Sequence, residues 1–575
     1  MNLKSIMVVL LVVFSISCTA QKKEENKEQK TVLGNVTKGI DENQYVDKNV
    51  TIIGKEERAL LESMEGKWKR PLYNLPGEGF EKDWEEITSY PIPEWLLDAK
   101  FGMYTHWGVY SVPAHLGNTY IRNMYTPNGR DSKPLEKSEK TYQYHLENYG
   151  DPTEFGYTDF VPMFKAEKYK GEDFVKLMQE TGAKFGGLGV VHHDGFLMWD
   201  SDINRWNVGN MGPKKDLYGE FVEAARKANF KTVATFHHAR SWNYPFKDID
   251  PNFYSEAQKK KLDIFDHEKS DFFFGMPGGN VSIEDFAKQW KAKIIEVVDK
   301  YHPDMIWFDG VQRTNENSPE KYLVEALKHY LKTGTENGQE PVLCNKLPGG
   351  NKEHFCHFNF PENTGIRCYE GGRNMPPDVG EYWLTDRAIS YPWSYTHDKS
   401  YNLGPDVHIR ALADQTARGG IYLLSLTPMA SGEIHPKEKA ICKGIGDWLK
   451  VNGEAIYSTR RWKIPAEGPI TSWRLVEQRE GIMWDYKKAN DEGEYRFTRS
   501  KDGKTVYAIM MVWPENGKAL IKSFKKNSVY LDKKIKSVEL IGSNEKLDWK
   551  RTEQGLEIIL PETKPCSHAF SFRIQ

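Results

Sequence analysis

The sequence predicts an α/β protein, a (β/α)8-like barrel followed by a C-terminal antiparallel β-sandwich. Three observations carry this. Between residues 100 and 425, short apolar runs closed by turn residues alternate with stretches apolar at helical spacing, the βα alternation of a parallel barrel. One unit is complete: the helical stretch 284–299, then His302-Pro303, the apolar run Met305 to Phe308, and Asp309-Gly310. After Glu454 the texture changes to short β-rich runs separated by Lys- and Gly-containing turns. At 575 residues the chain exceeds the roughly 250–300 at which one core stops growing.

In chain order, residues 1–20 have Lys4, an apolar run from Ile6 to Ile16 and then Ser17-Cys18, an export signal too short for a permanent membrane span. Ser15-Ile16-Ser17-Cys18 resembles a bacterial lipoprotein cleavage site, with Ser15 where leucine is usual. Cys18 would then be the lipidated N-terminus and the mature protein an outer-membrane lipoprotein or periplasmic. Cleavage after Ala20 and free release is the alternative. Residues 21–90 form a tether rich in Lys, Glu and Gln and an N-terminal extension. Residues 91–455 form the barrel, with candidate strands at 100–107, 186–192, 232–238, 304–309, 342–345, 355–360, 381–385 and 420–425. Helices are expected at 172–183, 217–228, 284–299, 319–332 and 406–418. Residues 456–575 form the sandwich, with strands at 506–513, 537–542, 555–560 and 569–574.

Formal net charge is -2, so no global field favours nucleic acid or an anionic membrane. Six cysteines lie scattered without a CxxC pair, which speaks against a structural zinc site and for buried free thiols. Among the polar residues, Asp309 is placed for chemistry. A carboxylate at a barrel strand's C-terminal end projects into the site formed by the βα loops, although an aspartate there can also cap the next helix. His192-His193 and His237-His238 are the other concentration of chemistry. Neutral imidazoles can exchange hydrogen bonds with hydroxyls, bind a metal, or sit satisfied in a core. Neighbours on a strand face opposite sides, so one of each pair is expected in the pocket.

Several stretches, in order, resemble the α-L-fucosidase family of retaining glycoside hydrolases (family 29). They are Phe101–Pro113 with His106-Trp107-Gly108, Phe160–Ala166, Asp173–Phe185, Val191–Phe196, Lys300–Gly310, Arg418–Pro428 and Asp447–Tyr457. The resemblance implies an exo-acting retaining glycosidase that removes terminal α-L-fucose or a close relative, with Asp309 as nucleophile and no metal or cofactor. The residues it assigns to the sugar are His106, Trp107, His192, His193, His237, Arg373 and Trp393.

The family pattern is broken in three places. Asn118-Thr119-Tyr120 stands where Glu-Trp-Tyr is usual, and Phe236-His237-His238 where Tyr-Tyr-Ser is. Trp383-Leu384-Thr385 replaces Trp-Glu-Thr, so the usual acid/base glutamate is Leu384, ahead of Trp393-Ser394-Tyr395. The proton must then come from Glu362, Glu370, Asp378, Glu381 or Asp386, with Glu370 ranked first and Glu381 second. The competing functions are an α-L-galactosidase, a silent sugar-binding protein and a metal hydrolase using the four histidines.

Overall fold

The computed structural model describes residues 78–129, 133–250, 252–310, 320–346, 360–361, 363–372, 383–468, 493–531 and 533–575. Eight parallel strands close into a barrel: β1 (Phe101–Thr105), β2 (Phe185–Val191), β3 (Lys231–Phe236), β4 (Met305–Phe308), β5 (Val342–Lys346), β6 (Ile366–Cys368), β7 (Trp383–Ala388) and β8 (Gly420–Leu426). β8 pairs back onto β1, with Phe101 opposite Tyr422 and Thr105 opposite Leu426.

The helices between strands follow from local chemistry. Helix Ile283–Tyr301 starts where Ser282 Oγ accepts the Asp285 amide and stops at His302, left-handed at φ 39°, with Pro303 behind it. Pro405 and Pro436 open helices Pro405–Ala417 and Pro436–Asn452, where the missing N–H costs nothing. Among the described residues no α-helix lies between β5 and β7.

The sixth strand corrects the sequence reading. It is the three-residue Ile366–Cys368, not 355–360, of which 355–359 lie outside the described residues. Arg367 interrupts its apolar pattern, which hid it. Gly365 admits it to the wall: at φ 56°, an added Cβ would lie 2.5 Å from the Leu343 carbonyl oxygen.

Alternation along the strands sorts the barrel into two faces. Met103, Ala234, Ile306, Phe308 and Leu424 face outward and join the helices in the large outer core. Tyr104, Val233, Trp307, Cys344, Cys368 and Leu384 face inward and form a separate apolar plug. Gly102, also inward, leaves room for the Phe185 ring. Each large side chain so buried is worth about 1.5–3 kcal/mol.

The C-terminal region is two antiparallel sheets. β9 (Thr459–Glu467), β10 (Tyr495–Ser500), β11 (Val506–Met510), β13 (Val538–Leu540) and β16 (Phe570–Ile574) form one sheet. β12 (Lys518–Ile521), β14 (Trp549–Arg551) and β15 (Leu556–Ile559) form the other, and a second apolar core lies between them. The four expected strands are β11, β13, β15 and β16. β9 and β10 escaped notice because arginines interrupt them. Barrel and sandwich meet across a buried ion pair, Arg496 Nε to Asp414 Oδ1 at 2.5 Å, and a hydrogen bond from Trp448 Nε1 to the Ala569 carbonyl. No helix among the described residues is long and apolar enough to cross a membrane.

Candidate active site

Continuing each inward face past the plug gives the site. Two residues beyond Tyr104 is His106, beyond Trp307 is Asp309, and beyond Cys344 is Lys346. By the same step Glu370 follows Cys368, Asp386 follows Leu384 and Ser425 follows Leu423, while His237 lies four past Val233. The layer above the plug is therefore polar although nearly as buried: Asp309 is 3% exposed, Lys346 8% and His237 1%.

Lys346 is its electrostatic centre. Its Nζ lies 2.7 Å from Asp309 Oδ1, 3.0 Å from Glu370 Oε2 and 3.8 Å from Asp386 Oδ2. The contact with Asp309 is ionic, without hydrogen-bond alignment. Trp307 and Trp393 present ring faces to the ammonium at 5.6 and 5.7 Å. Burial alone would lower the Lys346 pKa, but Asp309, Glu370 and Asp386 outweigh it and raise it. Burial would raise Asp309, yet Arg240 (3.7 Å from Oδ1) and Lys346 hold its carboxyl well below the usual range. Asp386, fully buried and contacted by Cys368 Sγ at 3.0 Å, is raised chiefly by burial. Because Asp309 and Glu370 share one ammonium, the contacting oxygens are at most about 5.7 Å apart, which is below the roughly 6.5–9.5 Å of inverting glycosidases and admits the roughly 5–5.5 Å of retaining ones.

The histidines surround the nucleophile with defined tautomers. The His193 Nδ1–H donates to the His237 carbonyl at 2.9 Å, so its Nε2 is a bare acceptor 3.4 Å from Asp309 Oδ2. Ser425 donates to the Leu426 carbonyl and accepts from His106 Nδ1–H at 2.7 Å, which leaves His106 Nε2 as an acceptor. Asn118 Nδ2 donates to His192 Nε2 at 3.1 Å, so His192 presents Nδ1–H. Neither ring nitrogen of His237 has a hydrogen-bond partner among the described residues. Burial keeps all four neutral: it pushes His192 down to about 3 and His106, His193 and His237 well below their ordinary value. One ligand nitrogen each of His106, His192 and His237 lie within 4.8 Å of one another.

The structure brings together His106, His192, His193, His237, Asp309, Glu370, Asp386 and Trp393, whose ring centroid is 4.9 Å from that of His106. Both His192 and His193 reach the pocket, against the expectation of one. β2 shifts register between Gly189 and Val191, and the chain turns after Val191, where alternation no longer applies. Trp107 is not brought there: it donates to the Met429 carbonyl and packs on Phe164, Tyr169 and Phe174 in the outer core, on the face opposite His106. His238 likewise stacks on Trp290 outside the barrel. Leu384 belongs to the plug beneath Asp386. Arg373, Glu381, Glu362, Asp378 and Cys18 lie outside the described residues. Lys346, Arg240 and Asn118's role escaped the sequence reading. For Lys346, the period of two along Val342-Leu343-Cys344-Asn345-Lys346 was the missing signal.

Residues 74–454 match the family model described as alpha-L-fucosidase, and 489–575 that described as alpha-L-fucosidase C-terminal domain. The chain is 28% identical over 497 residues to human tissue alpha-L-fucosidase, covering 86% of this chain and 90% of that one. It is likewise 28% identical to the mouse protein, covering 84% and 91%. Among solved structures, the Thermotoga maritima alpha-fucosidase in complex with fucose superposes with a TM-score of 0.61 at 22% identity, covering 86% of this chain and 99% of that one. A Bacteroides thetaiotaomicron family 29 alpha-L-fucosidase, trapped as a covalent intermediate, gives 0.57 at 17%, covering 84% and 97%.

Proposed function

The chain belongs to the α-L-fucosidase family of glycoside hydrolases, and from that premise we propose that it removes terminal α-L-fucose by double displacement, with Asp309 as nucleophile and Glu370 as acid/base. The observation that carries this is the single ammonium of Lys346 shared by both carboxylates. Asp309, kept ionised, attacks the anomeric carbon while the bond to the leaving oxygen breaks, and Glu370, entering this step protonated, gives its proton to that oxygen. Esterification neutralises Asp309. Lys346 then has Glu370 at 3.0 Å as its nearest carboxyl, with Asp386 at 3.8 Å, and this favours Glu370 in the ionised form that deprotonates the incoming water. The sugar's hydroxyls are read by His106 Nε2 and His193 Nε2 as acceptors, with His192 Nδ1–H as a donor, and Trp393 supplies an apolar face.

The test is hydrolysis of aryl α-L-fucoside against aryl α-L-galactoside, with the anomer of the first-formed sugar followed by NMR. The α anomer is expected, with fucoside preferred. Initial β product would remove Asp309 from the nucleophile's role, and preference for the galactoside would move the chain to that neighbouring specificity. Binding of either sugar without turnover would favour a silent receptor.

Export and a lipid anchor at Cys18 belong to the same proposal. Labelled palmitate incorporated by the wild-type chain and not by Cys18→Ser is the expected result; an unlabelled wild type would overturn it.

A further inference from the structure

We propose that His106, His192 and His237 also form a site for one divalent transition metal, with Zn²⁺ the best fit, and that the metal and the sugar compete for the same space. This rests on the sugar-pocket reading for the competition but not for the metal site. Three imidazoles are the donor set of open zinc centres, and nitrogen donors select Zn²⁺, Co²⁺, Ni²⁺ or Cu²⁺ over the oxygen-seeking Mg²⁺ and Ca²⁺.

The geometry is close to what such an ion requires. Zn–N bonds of about 2.1 Å in a tetrahedron place ligand nitrogens about 3.4 Å apart, and here they lie within 4.8 Å. The difference is taken up by ring rotation. His237 is the free member: both its nitrogens are buried and find no hydrogen-bond partner among the described residues. His106 is already oriented as metal-bound histidines usually are, its Nδ1–H held by Ser425 Oγ at 2.7 Å and its Nε2 bare. His192 needs one adjustment. Turning the Asn118 amide presents Oδ1 to Nε2–H and frees Nδ1, which is buried and unpartnered among the described residues. The three rings pack edge to face or stacked at centroid separations of 4.8–5.5 Å, so a small inward movement of each closes the triangle. The consequence is reversible inhibition: a metal held there occupies the imidazole nitrogens that the sugar's hydroxyls would use.

The experiment uses the full chain without a polyhistidine tag, stripped with a chelator and titrated with Co²⁺, whose visible d–d bands report coordination by nitrogen. One equivalent is expected. His237→Phe should weaken binding by at least ~100-fold, and Ser425→Ala, which removes only the group orienting His106, by about 10–100-fold. His238→Phe, next in the chain but turned away to stack on Trp290, should leave the titration unchanged. An iminosugar should raise the apparent Co²⁺ dissociation constant in proportion to its concentration. Equal binding by wild type, His237→Phe and Ser425→Ala, or no stoichiometric binding by the wild type, overturns the metal site. Independent binding of Co²⁺ and iminosugar overturns the competition. If the iminosugar fails to bind while the Co²⁺ titration still depends on His237 and Ser425, the metal site stands and the sugar-pocket reading falls.

Discussion

The plug and the polar layer above it are built from the same strands, one step of the pleat apart, and are almost equally buried. Leu384 and Trp307 are 0% exposed and Asp309 is 3%. Their energetics are opposite. In the plug the inward side chains pack on apolar neighbours, and its polar atoms are few: Tyr104 OH and Cys368 Sγ reach up to Asp386, and Trp307 Nε1 has no hydrogen-bond partner among the described residues. In the upper layer both ring nitrogens of His237 and His192 Nδ1 lack hydrogen-bond partners among the described residues, while Asp309 is held by the charges of Lys346 and Arg240. Burial is thus used twice: below to pack carbon on carbon, above to strengthen the electrostatics between Lys346, Arg240 and the carboxyl groups.

The sharpest test of that division is Asp309→Ala. It should reduce kcat by at least ~10³-fold, since a lost nucleophile closes the covalent route, while leaving the melting temperature near wild type or above it. A variant with near wild-type turnover would break the distinction. Next comes Glu370→Ala. Substrates with poor leaving groups should slow by roughly 10²–10⁴-fold, dinitrophenyl glycosides should be spared, and azide should restore deglycosylation. If Glu370→Ala hydrolyses natural glycans like the wild type, Glu381, Glu362, Asp378 and Asp386 become the candidates in its place. Lys346→Met, read by kcat against KM, should cost on the order of 10²-fold in kcat, as loss of a preorganised charge does, with Lys346→Arg recovering part of it. A purely structural lysine would leave kcat unchanged in the folded fraction.

Leu384 probes the lower layer. Leu384→Ala should destabilise by about 2–5 kcal/mol and leave turnover per folded molecule intact. Leu384→Glu should destabilise further, because it buries an unpaired charge in the plug. A gain in turnover by Leu384→Glu would show that this position reaches the sugar after all.

The smallest effect expected is a flat one. The folded pKa of Asp309 is depressed, so the stabilisation its ion pairs provide is fully present above about pH 4 and is lost only as pH falls below that, through the folded value. The acid limb of kcat/KM should therefore not reflect Asp309 above about pH 4. A limb near pH 5 that persists in Glu370→Ala and moves to higher pH in Lys346→Met would contradict this.

What could be read from sequence follows the length of each signal. β4 and its aspartate were legible because Met305–Phe308 is an unbroken apolar run closed by Asp309-Gly310. β6 was not, since three residues with an arginine in the middle have no period to detect. Trp107 was assigned to the sugar beside His106, although adjacent strand residues face opposite ways, and the structure follows the pleat. His192 and His193 broke that rule because a register shift and a turn end the alternation at Val191. Lys346 needed knowledge of which face of β5 is inward, and that comes only from closing the barrel.

The ion pair between Arg496 and Asp414 has a bearing on how this chain can be cut and recombined. Asp414 sits on a barrel helix, is 0% exposed, and is joined by a guanidinium that arrives from the sandwich. Deleting the sandwich would strip that partner, leaving Asp414 with Arg418 Nε at 3.2 Å, and would bare the surface under Trp448 to water. A barrel expressed alone, ending near residue 455, should be less soluble and melt lower than the full chain, because its face around Trp448 is left uncovered. Grafting this barrel onto another accessory domain would require redesigning that seam first.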